Sequence, residues 1–530
     1  MNKIKILDCT LRDGGYVNNW EFGKDNIKKI VSKLVDANID IIECGLLNNK
    51  FNYNEECSKF DTIEKVAKFI PNERKNCRMV CMINYGEYNL DNLPNYDGSS
   101  IDGIRVAFHK KDLEAALEFC KGISKKGYKL FLQPMVSISY TDTEFLGLIK
   151  AANEIKPYAF YIVDSFGVMK RSDLMRLYYI VDHNLDFDIY IGYHSHNNLQ
   201  LAYSNSQALV DIKAQRKLII DSCVFGMGRG AGNLNTELFI EYLNDNNSGD
   251  YKTKPLLQII DQVLNNIYLT SYWGYSLPHY ISAVHNCHPN YASYLADKNT
   301  LTVEDINNIL DNMDESRKNN YYKEYIEDLY CSYQANKISD NIHMDRLTTI
   351  FKDKTVIAIA SGSSINQATD IIFEQASKTN VITVAVNFMP EKLKCDYLFV
   401  SNLRRYNEVE NKIKSELIVT SNIKTDNENC YIVNYIGLTN DIEVVKDNAG
   451  LMLIELLIKL GVKHIKLAGY DGYSYDAYKN YAEKDMTFIK ENAVVDSLNV
   501  GMSKILYKFS KQVKIEFITR TKYVVGEGLQ

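Results

Sequence analysis

Eight short segments rich in Ile, Val and Phe, most of them separated by amphipathic stretches, constrain the first half of this chain more than any other feature. They run Lys5 to Thr10, Asp40 to Gly45, Arg78 to Ile83, Gly103 to His109, Lys129 to Met135, Ala159 to Ser165, Asp188 to His196 and Leu218 to Gly226. Runs that stay apolar until a polar end suit strands covered on both faces, as in parallel sheets. Between them, Asn26 to Val35, Leu113 to Ile123 and Leu199 to Val210 repeat apolar residues at helical spacing. Eight such alternations predict an α/β fold, a (β/α)₈ TIM barrel over residues 1–245.

At 530 residues the chain exceeds one core, so a second domain is expected. Beyond the polar run Asn244 to Asp250 lies a helix-rich stretch, with aromatics at Tyr272, Trp273 and Tyr275 and a turn signal at Cys287-His288-Pro289. It reads as a helical extension and linker over 246–345, packing onto the barrel. The aromatics from Tyr272 to Tyr280 fit either a subunit interface of the expected homo-oligomer or ordinary helix packing. From there the pattern changes, with strands expected at Thr355 to Ala360, Val381 to Asn387, Asp396 to Ser401, Glu416 to Thr420, His464 to Ala468 and Lys514 to Ile518. Residues 346–530 therefore read as a smaller Rossmann-like α/β domain.

A net charge of -6 provides no overall positive field for nucleic acid or anionic lipid, which points to small, polar partners. The longest apolar candidate, Leu451 to Leu460, is interrupted by Glu455 and Lys459, so no membrane insertion is expected. The N-terminus enters a strand directly and reads as lacking a signal peptide. Eleven cysteines without a paired framework read as reduced thiols of a cytoplasmic protein. The pair Cys77 and Cys81 alternates like a strand with both thiols on a buried face, which is favoured over a metal site.

In a barrel of this kind, chemistry sits where strands end. The first strand ends in Asp8-Cys9-Thr10-Leu11-Arg12-Asp13-Gly14-Gly15, the second in Glu43, the fourth in His109, the sixth in Asp164-Ser165 and the seventh in His194-Ser195-His196. The eighth runs into the glycine-rich segment Gly226 to Asn233. Two histidines two apart on a strand share a face, and with Asp13 they form a His₂-carboxylate set that leaves positions open for a chelating substrate. Arg12 keeps its charge and can stabilise a developing enolate oxygen, or it can pair structurally with Glu43 or Asp164. The glycine run lets backbone approach a ligand, with Asn233 as a further oxygen donor, or it closes the barrel as a tight loop.

These motifs, together with Ile104 to His109, Asp164 to Met169, His194 to Leu199 and Tyr203 to Ser206, resemble the DRE-TIM metallolyase (HMGL-like) superfamily over about residues 3–245. Within it, the 4-hydroxy-2-oxovalerate aldolases are the nearer pattern. The resemblance implies that Asp13, His194 and His196 hold a divalent metal, Mn²⁺ or Mg²⁺ with Zn²⁺ as the alternative, and more loosely that Asn233 joins them. It implies that Arg12 stabilises a pyruvate enolate. Those aldolases place a histidine base three residues after the metal aspartate, where this chain has Tyr16. An ordinary tyrosine is a weak base at neutral pH but a serviceable hydrogen-bond donor. Glu43 and Asp164 are expected to orient substrate or Arg12, and His109, Ser165 and Gly232 to meet substrate.

In the last domain the turn Ser361-Gly362-Ser363-Ser364 follows a strand and precedes a helix, an arrangement that can seat an anion. With Asn387, Asn402 and Gly469-Tyr470-Asp471, it faintly resembles bacterial sialyltransferase-like Rossmann domains. That implies a nucleotide or sugar site at Gly362, Ser363, Ser364, Asn387 and Asn402. No histidine follows His464, which disfavours transferase chemistry. The expected activity is a metal-dependent carbon–carbon lyase or aldolase using a 2-oxo acid and an aldehyde, in sugar-acid or surface-glycan biosynthesis. The alternatives are acyl-CoA Claisen condensation, or a non-catalytic barrel serving the second domain as a binding platform.

Overall fold

The computed structural model describes residues 4–212, 216–490 and 492–525. The chain divides into two units, one of residues 1–293 with 314–321 and the other of 294–313 with 322–530.

In the first unit, eight parallel strands close into a barrel. These are β1 (Ile4–Asp8), β2 (Ile41–Leu47), β3 (Arg78–Asn84), β4 (Gly103–Phe108), β5 (Lys129–Pro134), β6 (Ala159–Asp164), β7 (Tyr190–Ser195) and β8 (Leu218–Ser222). Each pairs with the next, and β1 pairs with both β2 and β8, so the sheet has no free edge. A short strand, Lys59–Phe60, adds to β2. The strands are buried along nearly their whole length because helices cover the outside and side chains fill the inside. Leu7, Ile41, Val80, Phe131, Tyr161 and Ile219 form the interior cluster. Gly192 makes room there, since a Cβ would lie 2.4 Å from the Tyr161 ring. Of the aromatics beyond the barrel, Trp273 is buried, whereas Tyr272, Tyr275 and Tyr280 are exposed rather than packed in a helical core.

The second unit holds a seven-stranded, all-parallel sheet. Its strands are β9 (Thr355–Ile359), β10 (Val381–Val386), β11 (Tyr397–Val400), β12 (Glu416–Thr420), β13 (Cys430–Val433), β14 (His464–Ala468) and β15 (Lys514–Phe517). They lie in the order β13-β12-β11-β10-β9-β14-β15. Separate apolar clusters cover the two faces, which makes this a doubly wound α/β domain. The edge strand β13 was not anticipated, because four residues set among polar neighbours give almost no periodic signal. The strand order reverses between β9 and β14, and a cavity of about 450 Å³ opens beside that point.

No helix among the described residues is long and apolar enough to cross a membrane.

Candidate active site

Arg12 and Asp13 sit in a single helical turn, Thr10–Asp13, directly after β1. Both are buried, at 5% and 1% exposure, a placement that charged groups tolerate only when paired. Arg12 Nη1 donates to Asp13 Oδ2 at 2.5 Å and Nε donates to Glu43 Oε2 at 2.8 Å. That same Glu43 oxygen accepts from Arg105 Nη1 at 2.8 Å, and Arg105 Nη2 donates to Asp221. Asp221 Oδ2 lies 3.0 Å from His194 Nδ1, and His194 Nε2 lies 3.4 Å from Asp13 Oδ2, which closes a ring of six side chains.

Asp221 orients the His194 ring so that Nε2 faces Asp13, the role an outer carboxylate plays toward a metal-binding imidazole. His196, just past the end of β7, bridges to Asn233 through its backbone, and its Nε2 lies 3.8 Å from Asp13 Oδ2. One ligand atom each from Asp13, His194 and His196 falls within 4.8 Å of the others.

Three carboxylates (Asp13, Glu43, Asp221) face two guanidiniums (Arg12, Arg105), and His194 completes the ring between Asp13 and Asp221. Burial opposes ionisation of Asp13, but the Arg12 guanidinium and the bond to His194 hold its carboxyl well below the usual range. Burial likewise opposes charge on His194, but its bonds to Asp13 and Asp221 push it well above the usual imidazole value. Burial lowers His196 to about 3, so its ring is neutral, the form that binds a metal.

Two further observations fit a cation. Asn233 donates from Nδ2 to Cys223 Sγ and to the Met227 carbonyl, while its buried Oδ1 has no partner. Gly228 keeps the space open, since a Cβ there would lie 2.1 Å from Asn233 Nδ2 and 3.1 Å from Asp13 Oδ1. Arg12 Nη2 is also buried without a partner, a free donor beside the same group.

Beside this centre a cavity of about 230 Å³ is lined by Tyr16, His109, Ser165, Arg229 and His288, among others. The Tyr16 ring packs edge-on to Trp20 and lies 5.6 Å from the Arg229 guanidinium carbon. Ser165 reaches the cavity wall, although its Oγ also accepts from Val136 N–H. Gly232 does not line it: with φ +81 and a Cβ that would sit 2.1 Å from Gly226 O, it closes the loop.

Asp164 is not joined to Arg12 by any hydrogen bond or ion pair. Its carboxylate accepts Val168 and Met169 N–H groups and ties down the turn after β6. Glu43 does pair with Arg12, accepting from Nε at 2.8 Å. Missing from the residues singled out in the sequence were Arg105, Asp221, Arg229 and His288. Asp221 and Arg105 lie inside strands, where attention to strand ends does not reach.

Burial raises Asp164 to about 6. A carboxyl raised on folding holds its proton more tightly folded than unfolded, so its contribution to stability falls as pH rises from about 4 through 6. Asp164→Asn lacks that loss. Its thermal midpoint relative to the parent protein is therefore expected to climb between pH 4 and 7, and a flat difference in Trp emission melts would refute the assignment.

In the second unit, Gly362, Asn387 and Asn402 line the cavity at the switch point. Ser363 and Ser364 do not form an anion cradle. Asp471 fills that place, accepting Ser364 N–H at 2.7 Å and both serine hydroxyls, because the turn after β14 brings a carboxylate to the turn after β9. Asn402 caps the helix Leu403–Val409 through Arg405 N–H, and Asn387 accepts from Ser401 N–H.

Residues 104–265 match the HMGL-like family model. The chain is 26% identical over 238 residues to oxaloacetate decarboxylase of Mycobacterium tuberculosis, covering 45% of this chain and 69% of that protein. It is 26% identical over 246 residues to 4-hydroxy-2-oxovalerate aldolase of Geobacillus genomosp. 3, covering 46% of this chain and 70% of that protein. Among solved structures, Rhizobium etli pyruvate carboxylase shares the fold at 12% identity and TM-score 0.50, over 67% of this chain and 39% of that one.

Proposed function

The barrel belongs to the HMGL-like, DRE-TIM metallolyase superfamily, and from that premise we propose that the protein is a divalent-metal-dependent carbon–carbon lyase or aldolase, using a pyruvate-type 2-oxo acid and an aldehyde. One observation carries this reading: a buried donor, Arg12 Nη2, and a buried acceptor, Asn233 Oδ1, both lack partners beside Asp13, His194 and His196.

Those three side chains, with Asn233, would hold the ion. When bound, Mn²⁺ or Mg²⁺ supplies a Lewis acid for the keto and carboxylate oxygens of the 2-oxo acid. Arg12, held by Glu43 and Asp13, offers Nη2 to the oxygen that gains charge as the methyl proton leaves. In the aldol direction the methyl carbon bonds to the aldehyde carbon and the aldehyde oxygen gains a proton; nothing is oxidised or reduced. Tyr16, on the cavity wall, is assigned as hydrogen-bond donor to that oxygen.

For the second unit the cavity at the topological switch point supports a nucleotide- or sugar-binding role, since ligands of open α/β sheets gather there.

The metal assignment is checked by titrating Mn²⁺ and reading free ion by electron paramagnetic resonance. One ion per chain is expected in the parent protein, with affinity at least about tenfold weaker in His196→Ala and in Asn233→Ala. Unchanged affinity in both variants would place the ion elsewhere.

A further inference from the structure

The cavity beside the metal-ligand group has a mixed lining, and its polar groups come from loops far apart in the chain. His288 reaches it from beyond the barrel strands, with its ring stacked on Tyr321 and edge-on to Phe166, both at 5.8 Å between centroids. Its Nδ1 accepts Asn290 N–H at 3.2 Å, so the neutral ring carries its proton on Nε2, the ring's remaining polar atom. Burial pushes this imidazole down to about 3, with the Arg229 guanidinium adding to the effect, which keeps it neutral.

Glu87, on the loop after β3 and on the cavity lining, takes both of its side-chain bonds, from Asn48 and Asn84, on Oε2. Asn319 and Asn320 add amide donors and acceptors. At roughly 30 Å³ per water, the 230 Å³ of space holds several waters' worth of ligand. An aliphatic aldehyde filling it would strip water from these groups and return no bond, a cost that hydrogen-bonding sites turn into selectivity.

We propose that this cavity selects a polyhydroxylated, sugar-like aldehyde as the second substrate, with His288 Nε2–H donating to one hydroxyl and the Glu87 carboxylate accepting from another. The inference rests on the aldolase reading and specifies its acceptor. His288 and Glu87 are positioning residues here and take no part in forming the enolate.

The test pairs aldehydes of equal carbon number: D-glyceraldehyde with propanal, and D-erythrose with butanal, each with pyruvate and Mn²⁺. Pyruvate methyl exchange in D₂O is followed in parallel. In a separate arm, saturation-transfer NMR compares erythritol with 1-butanol on the metal-free protein. The expected result is kcat/KM at least about tenfold higher for the hydroxylated partner. Erythritol should give a saturation-transfer signal where butanol gives none, and His288→Phe and Glu87→Gln should abolish both preferences while methyl exchange persists. Equal use of the paired aldehydes with exchange intact overturns the inference and leaves the aldolase reading standing. An erythritol signal that disappears in His288→Phe, without methyl exchange in any sample, retains a polyol cavity and overturns the aldolase reading instead.

Discussion

Arg105→Met is expected to destabilise the barrel by about 3–5 kcal/mol, the usual loss when one member of a buried ion network is removed. Arg105 is fully buried, and its guanidinium joins Glu43 to Asp221 across the barrel interior. Its guanidinium carbon lies 5.0 Å from the Tyr161 ring centroid, and the Gln133 amide oxygen, in its satisfied orientation, accepts from Nη2 and Nε at 2.8 and 3.2 Å. Methionine fills much of the volume but removes the guanidinium between two buried carboxylates, leaving Glu43 with Arg12 and Asp221 with His194 and Tyr161 as their remaining partners. Both tryptophans, Trp20 and Trp273, lie in the first unit, so their emission during urea unfolding reports on that unit. A loss below about 1 kcal/mol, the scale of an exposed pair, would show that the network carries little of the barrel's stability.

Arg12→Gln is expected to slow pyruvate methyl exchange by roughly 10²–10³, the range for losing one preorganised donor to a developing oxyanion. The substitution also removes a positive charge whose Nη1 lies 2.5 Å from Asp13 Oδ2. Mn²⁺ should therefore bind as tightly as in the parent protein, or more tightly, and this separates loss of enolate stabilisation from loss of the ion. Exchange within about threefold of the parent rate would return Arg12 to a purely structural role, as the partner of Glu43.

The eight barrel strands were legible because parallel strands covered on both faces must be continuously apolar, and their polar ends exposed Arg12, Asp13, His194 and His196 in the linear sequence. The support for those residues was not legible. Arg105 stands between Ile104 and Val106 in a buried strand, and nothing local distinguishes it from an arginine whose head reaches solvent. Its partners, Glu43 and Asp221, are brought to it only by closure of the barrel. His288 looked like turn punctuation before a proline, since its place in the cavity depends on a segment well beyond the last barrel strand. The Ser363-Ser364 turn misled for the same reason. Its local pattern was that of an anion cradle, but its partner, the carboxylate of Asp471, follows a strand more than a hundred residues later. Asp164 ends its strand as a catalytic carboxylate would, yet backbone N–H groups of its own loop consume it.

The central claim, that the buried Asp13, His194 and His196 group and Arg12 form an enolate from a 2-oxo acid, is tested most directly by following pyruvate methyl protons by NMR in D₂O. The account predicts loss of the methyl signal that requires Mn²⁺ or Mg²⁺, stops on chelation, and falls sharply in Arg12→Gln. A methyl signal that persists with every divalent ion tried, in protein that binds one Mn²⁺ per chain, would contradict it.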